Sequence, residues 1–347
     1  MGASMKISLD AMGGDRAPAM VIQGAGIALK RFPQARFLIF GDETQVRPLL
    51  KEMPAVDAVS ELRHTPDLVS GDAKPSIALR SSRNSSMRLA IDAVRNGEVD
   101  GVVSAGNTGA LMAIAKFVLK TIPGIDRPAI AGFFPTLVGE SVMLDLGANV
   151  ECDANNLVQF AVMGDAFART VLGVRLPSFG LLNVGSEELK GHDELRTAAA
   201  ILRAGPLADQ FQGFVEGNDI TGGRTDIIVT DGFTGNIALK TAEGTARLYS
   251  EFLRGAFKSS LPAKLGYVLA KHAIQKVRDR TDPRRYNGAM FLGLNGIVVK
   301  SHGGTDGIGF ANAVGVAIDM ATNAINDRIR DELAQVNAVK PTEAPAG

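Results

Sequence analysis

A chain of 347 residues with 46% hydrophobic residues, 5% aromatic residues and no Trp has to fill its interior with Ala, Val, Ile and Leu. Close helix-on-sheet packing favours such side chains. Lys plus Arg and Asp plus Glu both number 37, so no global basic field marks a nucleic-acid partner. The single Cys152 excludes an internal disulfide and a multi-cysteine metal cluster, and suits a reducing cytoplasm.

From the start, the pattern reads as strand Lys6–Ala11, helix Ala17–Arg31, strand Arg36–Phe40, helix Glu43–Lys51, strand Ala58–Arg63, helix Ser76–Gly97, strand Val99–Ser104 and helix Thr108–Lys120. Strands Ala129–Phe134 and Ser141–Asp145 follow, then helix Asn155–Val171, strand Ser178–Asn183 and helix Asp193–Ala204. Strands Gly213–Glu216 and Asp226–Thr230, helix Thr234–Phe257, strand Ile297–Lys300 and helix Thr305–Asn326 complete the series. Asp10 interrupts the first apolar run too early for a signal peptide, and no apolar stretch reaches the roughly 18 residues that a membrane span needs. Repeated βα units predict a largely parallel sheet covered on both faces. Without an internal repeat or long linker, residues 1–337 read as one domain, and residues 338–347, with Pro341 and Pro345, as a frayed tail.

Residues 252–285 break this rhythm. Arg254, Lys258, Lys264, Lys271, Lys276, Arg278, Arg280, Arg284 and Arg285 stand there against Asp279 and Asp282. Phe252, Leu253, Ala256 and Phe257 share one helical face; after a break at Pro262, Leu265, Val268, Leu269 and Ala273 share another. The segment is therefore expected to be a helical hairpin. Two uses stay open, a dimer or core contact with a solvated basic back, and docking on a membrane surface.

Short turns rich in Gly, Asn, Thr and Asp follow directly on strand-like runs: Asp10-Ala-Met-Gly13-Gly14-Asp15, Ser104-Ala-Gly-Asn107-Thr108-Gly109, Asn183-Val-Gly-Ser186, Asp231-Gly-Phe-Thr-Gly235-Asn236 and His302-Gly-Gly-Thr-Asp306. Glycine lets the backbone come close to a ligand, and the start of the next helix offers free N–H groups to an anion. Ligands of open α/β sheets bind beyond the carboxyl ends of the strands, where these turns fall. Together they predict one cleft for a phosphate or carboxylate. There is no G-x-x-x-x-G-K-[ST], no G-x-G-x-x-G opening the first helix, no H-E-x-x-H and no G-x-S-x-G, so neither a nucleotide cofactor nor a metal is expected.

Taken with Arg127-Pro-Ala-Ile130, Asp145-Leu-Gly-Ala-Asn149, Asn183-Val-Gly-Ser-Glu-Glu188 and Glu216-Gly-Asn-Asp219, these turns resemble the PlsX family of acyl-carrier-protein:phosphate acyltransferases, over about 300 residues and in the family's order. The resemblance implies a three-layer α/β/α sandwich with a mostly parallel mixed sheet, like that of isocitrate dehydrogenases and phosphotransacetylases, plus a projecting helical hairpin. It further implies a cytoplasmic homodimer resting on the inner face of the plasma membrane. Its activity would be transfer of a long-chain acyl group from acyl carrier protein to inorganic phosphate, giving acyl phosphate for a membrane glycerol-phosphate acyltransferase.

Phosphate is already an anionic nucleophile near neutral pH, so the catalyst has only to bind it, align it with the thioester and stabilise an oxyanion. Asn107 and Thr108 are candidates for phosphate, or a plain helix cap. Arg127 pairs with phosphate or ties a loop. Lys190 and His192 are candidates to polarise the carbonyl and assist the thiol, with a helix cap as the other reading of His192. Asn236 is the first choice for an oxyanion or phosphate donor, and His302 lies in a glycine turn suited to function. Asp10 and Asp231 orient cations and cap turns, while Gly13, Gly14, Gly235, Asn149 and Asn183 complete the binding set. Cys152, beside Asp153, reads as a bystander. Arg80, Arg83 and Arg88 meet an acidic carrier or are a solvated face. A phosphotransacetylase using acyl-CoA, and a non-catalytic membrane scaffold, are the alternatives.

Overall fold

Apolar runs, most only three to five residues long, form the strands of a computed structural model that describes residues 5–338. They are β1 Lys6–Asp10, β2 Arg36–Gly41, β3 Ser60–His64, β4 Gly101–Ser104, β5 Ala129–Pro135, β6 Glu140–Leu144, β7 Phe179–Leu182, β8 Phe211–Val215, β9 Ile227–Val229, β10 Ala289–Leu292 and β11 Ile297–Lys300. All join one sheet in the order β3-β2-β1-β4-β11-β10-β5-β6-β9-β7-β8. Side chains alternate across it, so Ile7 and Leu9 enter one apolar core and Leu38, Phe40 and Val102 the other. Helices Ala19–Arg31, Ala154–Phe167 and Gly307–Thr322 cover the first face, and Ser86–Arg95 and Thr108–Leu119 cover part of the second. The result is the expected three-layer α/β/α arrangement. The proposed tail, residues 338–347, lies outside the described residues apart from Ala338, which ends the last helix.

Strand direction decides where the turns go. β1, β2, β3, β4 and β11 run parallel to one another, and so do β6, β9, β7 and β8. Between the two sets β10 is antiparallel to both β11 and β5, and β5 and β6 form an antiparallel pair. The two parallel sets therefore have opposite sense, and their carboxyl ends open at opposite edges of the sheet. This corrects the expectation of one cleft holding every glycine turn. The reversal comes from the antiparallel β5–β6 pair, since β10, antiparallel to both of its neighbours, leaves β5 running in the same direction as β11.

Other boundaries also differ. The expected helix Ser76–Gly97 is two helices, Pro75–Ser81 and Ser86–Arg95, because the Ser85 hydroxyl accepts the Arg88 amide at 3.2 Å and starts a new N-terminus. The hairpin is longer than expected, pairing Gly232–Lys258 with Leu261–Arg280. Its break falls at Ser259-Ser260, where Ser260 Oγ accepts the Ala263 amide at 3.2 Å. Pro262 occupies the first turn of the second helix, a position that needs no N–H donor. Phe257 and Tyr267 meet edge to face at 5.4 Å near the tip. Arg280 brings the chain back to the sheet, donating to the Thr136 and Leu137 carbonyls at 3.1 and 2.7 Å. Among the described residues no single helix is long and apolar enough to cross a membrane.

Candidate active site

Three neighbouring parallel strands, β1, β4 and β11, end in polar residues. Asp10 is buried at the end of β1, where it accepts the Ser86 and Ser104 hydroxyls, each at 2.6 Å, and the Met12 amide at 3.3 Å. Burial pushes its carboxyl up, against the pull of those hydrogen bonds. A side chain at Gly13 would stand 2.5 Å from Asp10 Oδ2 and 2.7 Å from the Gly106 amide nitrogen, so only glycine lets these two turns touch. Gly14 has φ +108°, a region open to glycine alone at little cost. The third turn is bound to the first, for the Asp15 amide donates to the Gly303 carbonyl at 2.9 Å.

Lys300 ends β11, in register with Ser104 of β4. Its ammonium is buried and donates to the carbonyls of Ala105, at 3.3 Å, and Ser301. Burial brings Lys300 down to about 8, opposed by the charges of Asp10 and Asp15. Next to it, His302 is exposed and its Nδ1 accepts the Gly304 amide at 3.1 Å, which leaves the ring proton on Nε2. Asn287, also buried, anchors this turn by donating to Ser301 Oγ and accepting the His302 amide, both at 2.8 Å. Asn107 caps helix Thr108–Leu119 through the Ala110 amide at 2.8 Å and ties it to the Gly71 carbonyl at 2.7 Å. Thr108 follows, exposed, at the first helical position. This edge thus brings together Asp10, Gly13, Gly14, Asn107, Thr108 and His302. The sequence reading missed Lys300 and Asn287; an apolar run ending in Lys immediately before a glycine turn was the available signal.

The opposite edge gathers the remaining candidates at the carboxyl ends of β6, β9 and β7. Asp145, buried, accepts amides of Ile130, Gly147, Ala148 and Asn149 at 2.9, 3.2, 3.0 and 2.7 Å, and the Asn149 side chain at 2.9 Å. Its carboxyl too is pushed up by burial despite these donors. Asn149 also donates to the Pro128 carbonyl at 2.8 Å, and Asn236 donates to the Leu146 carbonyl at 3.0 Å. A Cβ at Gly235 would sit 1.9 Å from the Asp145 carbonyl oxygen. Asp231 caps the long helix through Thr234, and Arg127 donates to the Glu151 carbonyl at 3.2 Å, which is the loop-tying reading of that residue. Asn183 donates to the Lys190 carbonyl at 3.1 Å, while the side chains of Lys190 and His192 are exposed. His192 heads helix Asp193–Ala204 without a side-chain capping bond. Asn236, Asn149 and Asn183 are therefore engaged with backbone carbonyls. Asn107 stands apart from Asn236 and Lys190 in the chain, on the other edge of the sheet.

Cys152 lies beside this second group. Burial, then the negative charges of Asp145 and Asp231, push its thiol up to about 12, so it offers no thiolate near neutral pH. The first group is the better anion site: a buried ammonium is held by carbonyls of two of the turns, beside a twelve-residue helix whose first turn carries no acidic side chain.

A family model described as "Fatty acid synthesis protein" matches residues 5–328. The chain is 70% identical over 332 residues to the Phosphate acyltransferase of Rhodospirillum centenum, covering 96% of this chain and 94% of that protein. Identity to the Phosphate acyltransferase of Paramagnetospirillum magneticum is 62% over 349 residues, covering 100% and 99% of the two chains. A phosphotransacetylase structure from Streptococcus pyogenes superposes with a TM-score of 0.61 at 17% identity, covering 92% of this chain and 95% of its own, so the fold is phosphotransacetylase-like. With identity this high across almost its whole length, the chain belongs to the phosphate acyltransferase (PlsX) family, acyltransferases of fatty acid and phospholipid synthesis.

Proposed function

We propose that the protein transfers a long-chain fatty acyl group from the thioester of acyl carrier protein to inorganic phosphate, and that the acyl phosphate serves a membrane glycerol-phosphate acyltransferase. A phosphate oxygen attacks the carbonyl carbon, the C–S bond breaks, and the carrier's thiolate takes up the proton that the phosphate gives away. The observation that carries this reading is the anion-ready centre at the β1–β4–β11 edge, in a chain of this family whose Cys152 is no nucleophile. Asn107 and Thr108 present the helix start to phosphate. His302, at the same edge, is our candidate to assist the departing thiol by hydrogen bonding. On the other edge Asp145, Asn149 and Asn236 hold turns, with Lys190 and His192 at the exposed rim.

Arg80, Arg83 and Arg88 line a depression with Leu79 and Phe117, and helix Pro75–Ser81, which carries Arg80, meets the Asn107 turn where Pro75 packs on Gly109. That supports docking of an acidic carrier there. The hairpin leaves Leu248, Tyr249, Phe252, Leu253, Leu261, Leu265, Val268 and Leu269 exposed, Leu269 to 81%, among many basic residues. Apolar surface on this scale calls for a partner, and we assign it to a homodimer contact and to the cytoplasmic membrane surface. Purified protein given long-chain acyl carrier protein should form acyl phosphate, detected by mass spectrometry, only when phosphate is supplied. Equal or better turnover with short-chain acyl-CoA would favour the phosphotransacetylase alternative.

A further inference from the structure

We propose that Lys300 is a phosphate-binding residue of the acyltransfer site, its ammonium forming the floor on which the anion rests beneath the Asp10–Asp15, Ser104–Gly109 and Ser301–Asp306 turns. This rests on the acyl-phosphate reading above and adds to it the cation that the candidate residues lacked.

The argument begins with unbalanced charge. An ammonium has three hydrogens to give, and Lys300 gives two of them to backbone carbonyls, those of Ala105 and Ser301. Among the described residues no carboxylate lies within ion-pair distance of it. Asp10 is one strand away from Ser104 and is already engaged by Ser86, Ser104 and Met12. Asp15 is exposed on the first turn, and Asp306 is held by Arg284 at 2.9 Å. His302 bonds within its own turn, and the adjoining helix Thr108–Leu119 brings no acidic residue in its first turn. A buried cation whose carboxylate neighbours, Asp10 and Asp15, act on it without a direct ion pair is costly, and an arriving anion lowers that cost.

The carbonyls that Lys300 holds belong to the Ser104–Gly109 and Ser301–Asp306 segments, and in the first of these the Thr108 and Gly109 amides precede the first intrahelical hydrogen bond. Phosphate seated there takes Lys300 from one side and helix amides from another. That also explains a lysine at the end of an apolar strand whose other members, Ile297, Val298 and Val299, are buried core residues.

Burial sets the pH at which this floor loses its charge. With Lys300 at about 8 in the free protein, a bound dianion must raise it, and by reciprocity the anion binds the charged form more tightly. Affinity is expected to fall about 25-fold between about pH 7.5 and about pH 9.5. The measurement is isothermal titration calorimetry of the full chain, without acyl donor, using phosphate and, because it does not titrate in this range, sulfate.

Both anions should weaken together, and His302→Gln should keep the slope. Lys300→Met should bind phosphate at least about 25-fold more weakly at the lower pH, with no slope, and in turnover should raise KM for phosphate while leaving KM for the acyl thioester in place. A flat wild-type profile for sulfate, loss of the slope in His302→Gln, or a folded Lys300→Met with unchanged phosphate KM would each overturn the assignment. The wild-type series needs no variant to fold. Absence of acyl phosphate production by wild type, with the anion profile intact, would instead remove the broader functional reading.

Discussion

Asp165 and Glu332 share one guanidinium: Arg169 stands 2.8 Å from Asp165 Oδ2 and 3.4 Å from Glu332 Oε1. This joins the last helix, Ile325–Ala338, to the buried helix Ala154–Phe167. Both carboxyls are pushed up, first by burial, and Glu332 reaches about 8 in contact with Asp165. The pair holds a proton that the unfolded chain releases near 4.5, so the native state binds more protons between these values.

The contribution of this shared proton to stability should therefore be fully present below about 4.5 and be lost as pH rises toward about 8, with a slope of at most about 1.4 kcal/mol per pH unit. Glu332→Gln, whose amide keeps a donor toward Asp165 at every pH, should flatten that slope in urea unfolding. Parallel pH profiles for wild type and variant would dismiss the shared proton.

Gly235 is a packing requirement before it is a binding one. Its absent Cβ would lie 1.9 Å from the Asp145 carbonyl oxygen, which is backbone and cannot swing aside. Gly235→Ala should cost about 3 kcal/mol, read as a lower Tm. A melting temperature equal to wild type would show that the long helix shifts freely at this point.

Asn236→Ala removes the donor to Leu146. The expected loss is about 1–2 kcal/mol of stability, with turnover inside a factor of about 10 once folded protein is compared. An oxyanion donor would instead cost about 10²–10³ in turnover. Stopped assays on variant and wild type at equal folded concentration separate the two.

Leu265→Glu with Leu269→Glu should release the protein from anionic vesicles while soluble acyl carrier protein is still converted. Each buried leucine contributes about 1.5–3 kcal/mol to surface binding, so cosedimentation should fall by at least about tenfold. Undiminished vesicle binding with a dissociated oligomer would hand this face to the dimer alone.

The local chemistry of the candidate site was legible in the sequence because it is local. Asn107, Asp231 and Asp306 cap the helices that follow them, as Asn and Asp do wherever a strand hands over to a helix. The hairpin was legible for the same reason, its apolar face repeating at helical spacing, although it starts earlier than expected, at Gly232, and its break moved from Pro262 to Ser260. What stayed hidden was relational. Asn236 finds Leu146 ninety residues away, and nothing in either neighbourhood announces the bond. Lys300 looks solvent-bound until β4 is laid beside β11. The allocation of turns to two edges depends on the antiparallel pairing of β5 with β6, a relation that neither apolar run declares by itself.

The position of β10 and β11 has a consequence for biosynthesis. They leave the ribosome after every other strand, yet they lie between β4 and β5 at the middle of the sheet. Until they arrive, the nascent chain carries two unfinished half-sheets, each with a naked inner border ready to pair with a stranger. The last fifty described residues then weld the halves, so a stop codon placed before Ala289 should yield aggregates rather than a smaller working enzyme.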